Sequence, residues 1–252
     1  VIDLSPILAL GLLLVRPGAL IMASPAFGGV YAPAPVKIGL ILFLALALTP
    51  VTAPPAIGSG AGLAIVIARE SAIGIALALG TRVLFAAAEF AGHLAGFQMG
   101  LSYSAIVDPA SGVRNNVLAT LYSNVAMVTF LLTNAHHAFL RALRDSYDRL
   151  PIGSGAIGAS LPQSVTAMLG LVFSVGTRLA APVIIVLLIC ELALALVARS
   201  APALNLMVVS APVRLAIGLI LLGVVTPAAV GVLAGFSSTV LQAGLRAADA
   251  FR

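Results

Sequence analysis

The chain has 252 residues, 61% of them hydrophobic and only 8% charged, with a mean hydropathy of +1.17. A soluble domain carries roughly a quarter charged residues, and 13 Lys+Arg with 8 Asp+Glu are too few to hold this chain in water. The net charge of +5 excludes no membrane role and marks no nucleic-acid binder, because the arginines are scattered and the densest group (Arg141, Arg144, Arg149) is interleaved with Asp145 and Asp148. Anionic lipid heads or acidic protein neighbours are the better use of the excess.

In chain order, apolar segments cover residues 4–22, 36–48, 62–99, 118–135, 165–197 and 204–233. The first lacks the basic start and small-residue cleavage site of a removable signal, so it reads as a permanent membrane helix. Pro33 and Pro35, then Pro50, Pro54 and Pro55, then Asp108-Pro109, then Pro151-Ile152-Gly153-Ser154-Gly155 separate the segments with turn chemistry. The runs are too long and too unalternating for strands. The fold class expected is therefore all-α, an integral-membrane protein of helical hairpins with about six hydrophobic segments.

Two segments exceed a simple span. About 20 helical residues cross a hydrocarbon core, yet residues 62–99 and 165–197 are much longer and carry Arg69, Glu70, Arg82 and Glu89, and Arg178 and Glu191. A charge facing mid-bilayer lipid costs several kcal/mol. These segments therefore either fold back as hairpins or project beyond the lipid, with Glu89, Arg178 and Glu191 expected as buried polar groups. Arg82 and Glu89 share a helix face, which suits a polar seam. Gly92, Gly96 and Gly100 form a stripe where another backbone can approach, and Gly231 and Gly235 repeat the interval, although such spacing also arises by composition. Lys37, Arg114, Arg141 and Arg214 fall in successive connections, so charge counting sets no orientation.

The residues offer no catalytic constellation. His136 and His137 are adjacent and point to different faces, unlike a zinc-binding i, i+4 pair, and His93 stands apart. Cys190 lies in an apolar run as a small hydrophobe and excludes an internal disulfide. No G-x-S-x-G, Walker A or H-E-x-x-H occurs. Neither an enzyme nor a cofactor or metal is expected. Asp108 before Pro109 reads as a turn start.

The run from Ala88 to Pro109 contains Glu89-Phe90-Ala91-Gly92 and Gly96-Phe97-Gln98-Met99-Gly100-Leu101-Ser102, then Tyr103-Ser104-Ala105-Ile106-Val107-Asp108-Pro109. It resembles the FliR family of flagellar export proteins, with its E-F-x-G, G-x-Q-M-G-L-S and V-D-P elements. Leu150-Pro151-Ile152-Gly153 is similar to the family's L-P-I-G loop, and Arg16-Pro17-Gly18, Pro25 and Pro35-Val36-Lys37 follow its N-terminal pattern. Arg199-Ser200-Ala201-Pro202-Ala203-Leu204-Asn205 resembles its R-x-A-P-Q-x-N run, with Ala203 where Gln is usual.

The resemblance implies a structural and gating subunit of the export gate, joined with FliP-like and FliQ-like subunits in a helical spiral. Residues 1–164 would be a FliP-like portion and residues 165–252 a FliQ-like hairpin of one membrane domain. It also implies unfolded flagellar proteins as cargo, FlhB- and FlhA-like neighbours, membrane lipid around the complex, and the bacterial inner membrane at the flagellar basal body as its place. The segment from Met99 onward, through Pro109, would be the pore plug. The virulence-secretion (SctT) branch is the alternative. A small-solute secondary transporter is the rival of another class, but it usually carries internal repeats around a midplane site, and none is evident.

Overall fold

The computed structural model describes residues 5–29, 32–49, 60–101, 116–154, 158, 160–200 and 206–251. Among them are eight helices and no strand: α1 (Ser5–Ala23), α2 (Pro25–Gly28), α3 (Ala34–Leu48), α4 (Gly60–Gln98), α5 (Val117–Leu132), α6 (Ala135–Arg149), α7 (Leu161–Ser200) and α8 (Leu206–Asp249). The all-α membrane class is thereby established, and each of the six apolar segments has its helix.

Local chemistry sets the ends. Pro25 opens α2 after Ser24, and Pro35 lies in the first turn of α3, where a missing N–H costs nothing. Asn134 separates α5 from α6 with φ 54°, a left-handed conformation that Asn tolerates better than most residues. The helix α6 is the amphipathic element of the chain. Ala135, Phe139, Ala142, Leu143, Ser146 and Tyr147 are buried at helical spacing, while Arg141, Arg144, Asp145, Asp148 and Arg149 are exposed.

The two over-long segments do not fold back. α4 runs unbroken for 39 residues and α7 for 40, so each is roughly 60 Å long at 1.5 Å per residue, about twice a hydrocarbon core. The helices Gly62–Gln98, Leu161–Ser200 and Ser210–Asp249 are long and apolar enough to cross a membrane, and a fourth span results if α5 and α6 count as one broken crossing. Pro182 lies inside α7, and Pro212 and Pro227 inside α8, without ending either helix.

The chain forms two compact units. One comprises Val1–Val83, Thr133–Leu169 and Ser237–Arg252, the other Leu84–Leu132 and Gly170–Phe236. Each takes chain from both sides of residue 165. In the first unit α4 and α8 cross with backbones in contact: a Cβ on Gly80 would lie 2.7 Å from the Val240 oxygen, and one on Gly244 2.9 Å from the Leu77 oxygen. In the second unit Gly176 receives Phe90, which stacks edge-on against Phe173 at 5.1 Å, and Phe85 meets Phe130 at 6.1 Å.

Candidate functional site

The segment that the motifs single out begins where α4 ends. The Leu101 N–H donates to the Gly96 oxygen (2.9 Å) and the Gly100 N–H to the Phe97 oxygen (3.1 Å), with Gly100 at φ 80°. This pair of bonds around a left-handed glycine is a Schellman stop, which satisfies carbonyls that a helix end leaves open. The chain resumes at Asn116. Its side-chain oxygen accepts from the Leu118 N–H at 2.9 Å and caps α5, and its Nδ2 donates to the Gly92 oxygen at 3.4 Å.

Gly92 and Gly96 make this arrangement possible. A Cβ on Gly92 would lie 2.5 Å from the Ala119 Cα, and one on Gly96 would overlap the Asn116 amide group. Leu101 is thus bonded to Gly96, and Asn116 lies against Gly96 and Gly92, so the described residues on either side of 102–115 meet at one glycine of α4. Gly100 departs from the expected packing stripe: nothing lies within 4 Å of where its Cβ would be. Its role is the positive φ that ends the helix. Among the described residues nothing lies within 4 Å of where a Cβ on Gly231 or Gly235 would be.

Of the plug residues, Met99 is 2% exposed, seated where a Cβ on Gly218 of α8 would lie 2.5 Å from its Cε. Met99 is thus packed in the core of the second unit. Leu101 is exposed. Ser102, Tyr103, Ser104, Ala105, Ile106, Val107, Asp108 and Pro109 lie outside the described residues. Beside the foot, a groove of about 670 Å³ is lined by Val117, Leu121, Val125 and Val128 of α5 with Thr226 and Val230 of α8, and no titratable group lines it.

The charges expected to be buried differ in their surroundings within this chain. Among the described residues Glu89 and Arg178 are exposed and Glu191 is half-buried. Glu89 accepts from Ser123 Oγ at 3.2 Å. Glu191 accepts from Arg214 Nη1 at 2.8 Å across the α7–α8 pair, and Arg214 Nη2 donates to Ser210 Oγ at 3.1 Å. Arg82, expected in a seam with Glu89, instead donates its Nε to the Ala23 oxygen at 2.6 Å.

The charge cluster that is fully buried lies in the first unit. Arg16 and Glu70 are both 0% exposed. Arg16 donates Nε to Glu70 Oε2 (2.8 Å) and Nη2 to Oε1 (3.1 Å), Nη1 to Ser146 Oγ (3.0 Å), and Nη2 also to the Leu150 oxygen (2.9 Å). Its guanidinium lies 4.0 Å from the centre of the Tyr147 ring. Glu70 Oε1 accepts in addition from the Gly153 N–H at 3.2 Å. Gly153, at φ 80°, makes the turn in which the Ser154 N–H returns to the Pro151 oxygen at 3.0 Å. The R-P-G and L-P-I-G motifs are thus two sides of one buried cluster. The sequence reading placed Glu70 among interior charges but did not pair it with Arg16. The signal available was that R-P-G carries a charge, Arg16, too costly to bury without an acid such as Glu70.

Comparison with known proteins adds a second line. The family model described as "Bacterial export proteins, family 1" matches residues 7–240. The chain is 34% identical over 85% of its length to the flagellar biosynthetic protein FliR of Escherichia coli (strain K12), covering 82% of that protein. It is 36% identical over 84% of its length to FliR of Pectobacterium carotovorum subsp. carotovorum, again covering 82% of the relative. To the Yop proteins translocation protein T of Yersinia pestis it is 28% identical, over 80% of this chain and 77% of that one.

Proposed function

The chain belongs to family 1 of the bacterial export proteins, the family of FliR and its virulence-secretion relatives, and on that premise we propose that it is a pore-forming, gating subunit of the flagellar type III protein export complex. It works as a structural component of that multi-subunit membrane apparatus, without catalysis of its own. Its neighbours in this reading are FliP-like and FliQ-like subunits, with FlhB- and FlhA-like proteins nearby. Its place is the inner membrane at the flagellar base, and its cargo is unfolded flagellar protein.

One observation carries the gating role: Leu101 and Asn116, the described residues that flank residues 102–115, both rest on Gly96 of a single helix end. A segment whose two flanking residues rest on one helix end can occupy or leave an opening without those helices moving. The composition suits a plug, with Tyr103, Ile106 and Val107 as apolar groups that exclude water, and Ser102, Ser104, Ala105, Ser111 and Gly112 as small ones. A dewetted constriction stops ions. The helices α7 and α8, joined through residues 201–205, stand as the FliQ-like hairpin of this reading. The virulence alternative rests on the Yersinia relative, whose 28% identity is below that of the flagellar proteins at 34% and 36%. Deleting residues 102–111 should raise the ion conductance of cells that still assemble the complex. Full assembly with no added leak overturns the plug assignment.

A further inference from the structure

The chain reversal between α1 and α3 gathers two cations that no carboxylate among the described residues neutralises. Arg82 Nε donates to the Ala23 oxygen at 2.6 Å, and Lys37 Nζ donates to the Gly28 oxygen at 2.8 Å. Gly28 folds back on the last turn of α1, where a Cβ on it would lie 2.7 Å from the Ile21 oxygen, so the two carbonyls belong to one patch of backbone. The reversal is firmly built. The Gly28 N–H bonds the Ser24 oxygen at 2.7 Å, Thr81 Oγ1 donates to Ser24 Oγ at 3.3 Å, and Phe27 stacks on Phe139 at 5.9 Å.

Among the described residues of the same unit, Glu70 is taken by Arg16 and Asp249 by Arg149, and Asp145 and Asp148 lie on the outer face of α6. Neither Lys37 nor Arg82 forms an ion pair with any of them. Arg82 is exposed, and its Nε alone is used, which leaves the outer edge of its guanidinium for another acceptor.

The surface next to these cations is apolar. Met22 is 60% exposed, Val36 59% and Ile38 65%, and Leu42, Phe43 and Leu46 continue the exposed face along α3. The 15 residues of α3 make a helix of roughly 22 Å, more than one leaflet of a hydrocarbon core that is about 30 Å thick. Positive charge at one end and an apolar wall beyond it match a phospholipid, whereas a water-soluble phosphate has no use for the wall.

We propose that this reversal binds the headgroup of an anionic phospholipid, with Lys37 and Arg82 on its phosphate and the outer face of α3 along its acyl chains. The complex, purified into nanodiscs containing equal parts of phosphatidylglycerol and phosphatidylcholine, is the material for the test. Lipid retained after detergent exchange is counted by mass spectrometry. The wild type should retain phosphatidylglycerol preferentially, by roughly 5-fold per cation. Lys37→Gln should lose about half of that preference on a logarithmic scale, and Lys37→Gln with Arg82→Gln should abolish it. Lys37→Arg should keep it, and millimolar inorganic phosphate should not displace the lipid. The proposal fails if the wild type shows no preference. It also fails if Lys37→Gln, which leaves the Arg82 contact to α1 intact, changes nothing, or if the variants lose a neighbouring subunit while lipid preference stays the same. That last result would assign the cations to an acidic protein surface.

Discussion

Replacing Glu70 by Leu strands Arg16. The guanidinium is 0% exposed, so it cannot reach water, and removing one partner of a buried pair typically costs about 3–5 kcal/mol. The Gly153 N–H also loses its acceptor, for about 1–3 kcal/mol more if it stays dry. Glu70→Gln keeps a carbonyl for Arg16 and should lie well below that total. The informative variant is Arg16→Met with Glu70→Leu. It removes both charges and leaves only the Leu150 oxygen and the Gly153 N–H without partners, since Ser146 Oγ still donates to the Leu143 oxygen. The double variant should therefore be more stable than Glu70→Leu by at least about 1 kcal/mol, because apolar replacement of a buried pair is often neutral. Thermal melting of the detergent-solubilised protein by circular dichroism reads this directly. A double variant that melts no higher than Glu70→Leu refutes the idea that the stranded charge, and not lost packing, dominates the cost.

The glycines separate by environment. Gly92→Leu should destabilise by more than about 3 kcal/mol, since backbone lies 2.5 Å from its Cβ position. Gly231→Ala should be neutral or stabilising by up to about 1 kcal/mol in melting. Gly100→Ala should cost about 1 kcal/mol through its positive φ alone, with the yield of assembled complex unchanged. Glu191→Gln should be milder than Glu191→Leu in export of flagellar protein, because Gln still accepts from Arg214. Equal export from both would show that the contact is dispensable. Asn116→Ala should lower the melting point by the equivalent of about 1 kcal/mol through loss of the α5 cap.

Helix class and segment number were legible because composition and run length decide them. The burial of Arg16 was not, since nothing in R-P-G says that its partner lies 54 residues on, and such pairing is a tertiary event. Glycine spacing identified Gly92 and Gly96 but equally offered Gly100, Gly231 and Gly235. An interval of four records which residues share a face, not whether anything meets that face. Gly80 and Gly244, which do touch across two helices, carry no local pattern at all. Glu89 and Arg178 were assigned to the interior on the cost of charge in lipid, which says only that they avoid lipid. The described residues leave both exposed, and Glu89 takes only the Ser123 hydroxyl among them. The helix α6 falls outside the apolar segments because its charges are frequent, although their spacing places them on one outer face.

The geometry of the foot also fixes what shortening the loop does to the subunit. Leu101 is bonded to Gly96, and the Asn116 amide lies against the same glycine, so the two ends are already neighbours. After deletion of residues 102–111, residues 112–115 remain to join them, and four residues reach roughly 13 Å. The α4 stop is made by Gly96, Phe97, Gly100 and Leu101, and the α5 cap by Asn116 and Leu118. None of these is removed. Closing a shorter loop also costs slightly less entropy. The deleted subunit should therefore melt within a few degrees of the wild type and assemble normally, so that any rise in conductance belongs to the missing residues. A subunit that unfolds on this deletion would mean that residues 102–111 hold α4 and α5 together, and the segment would then be a structural connector.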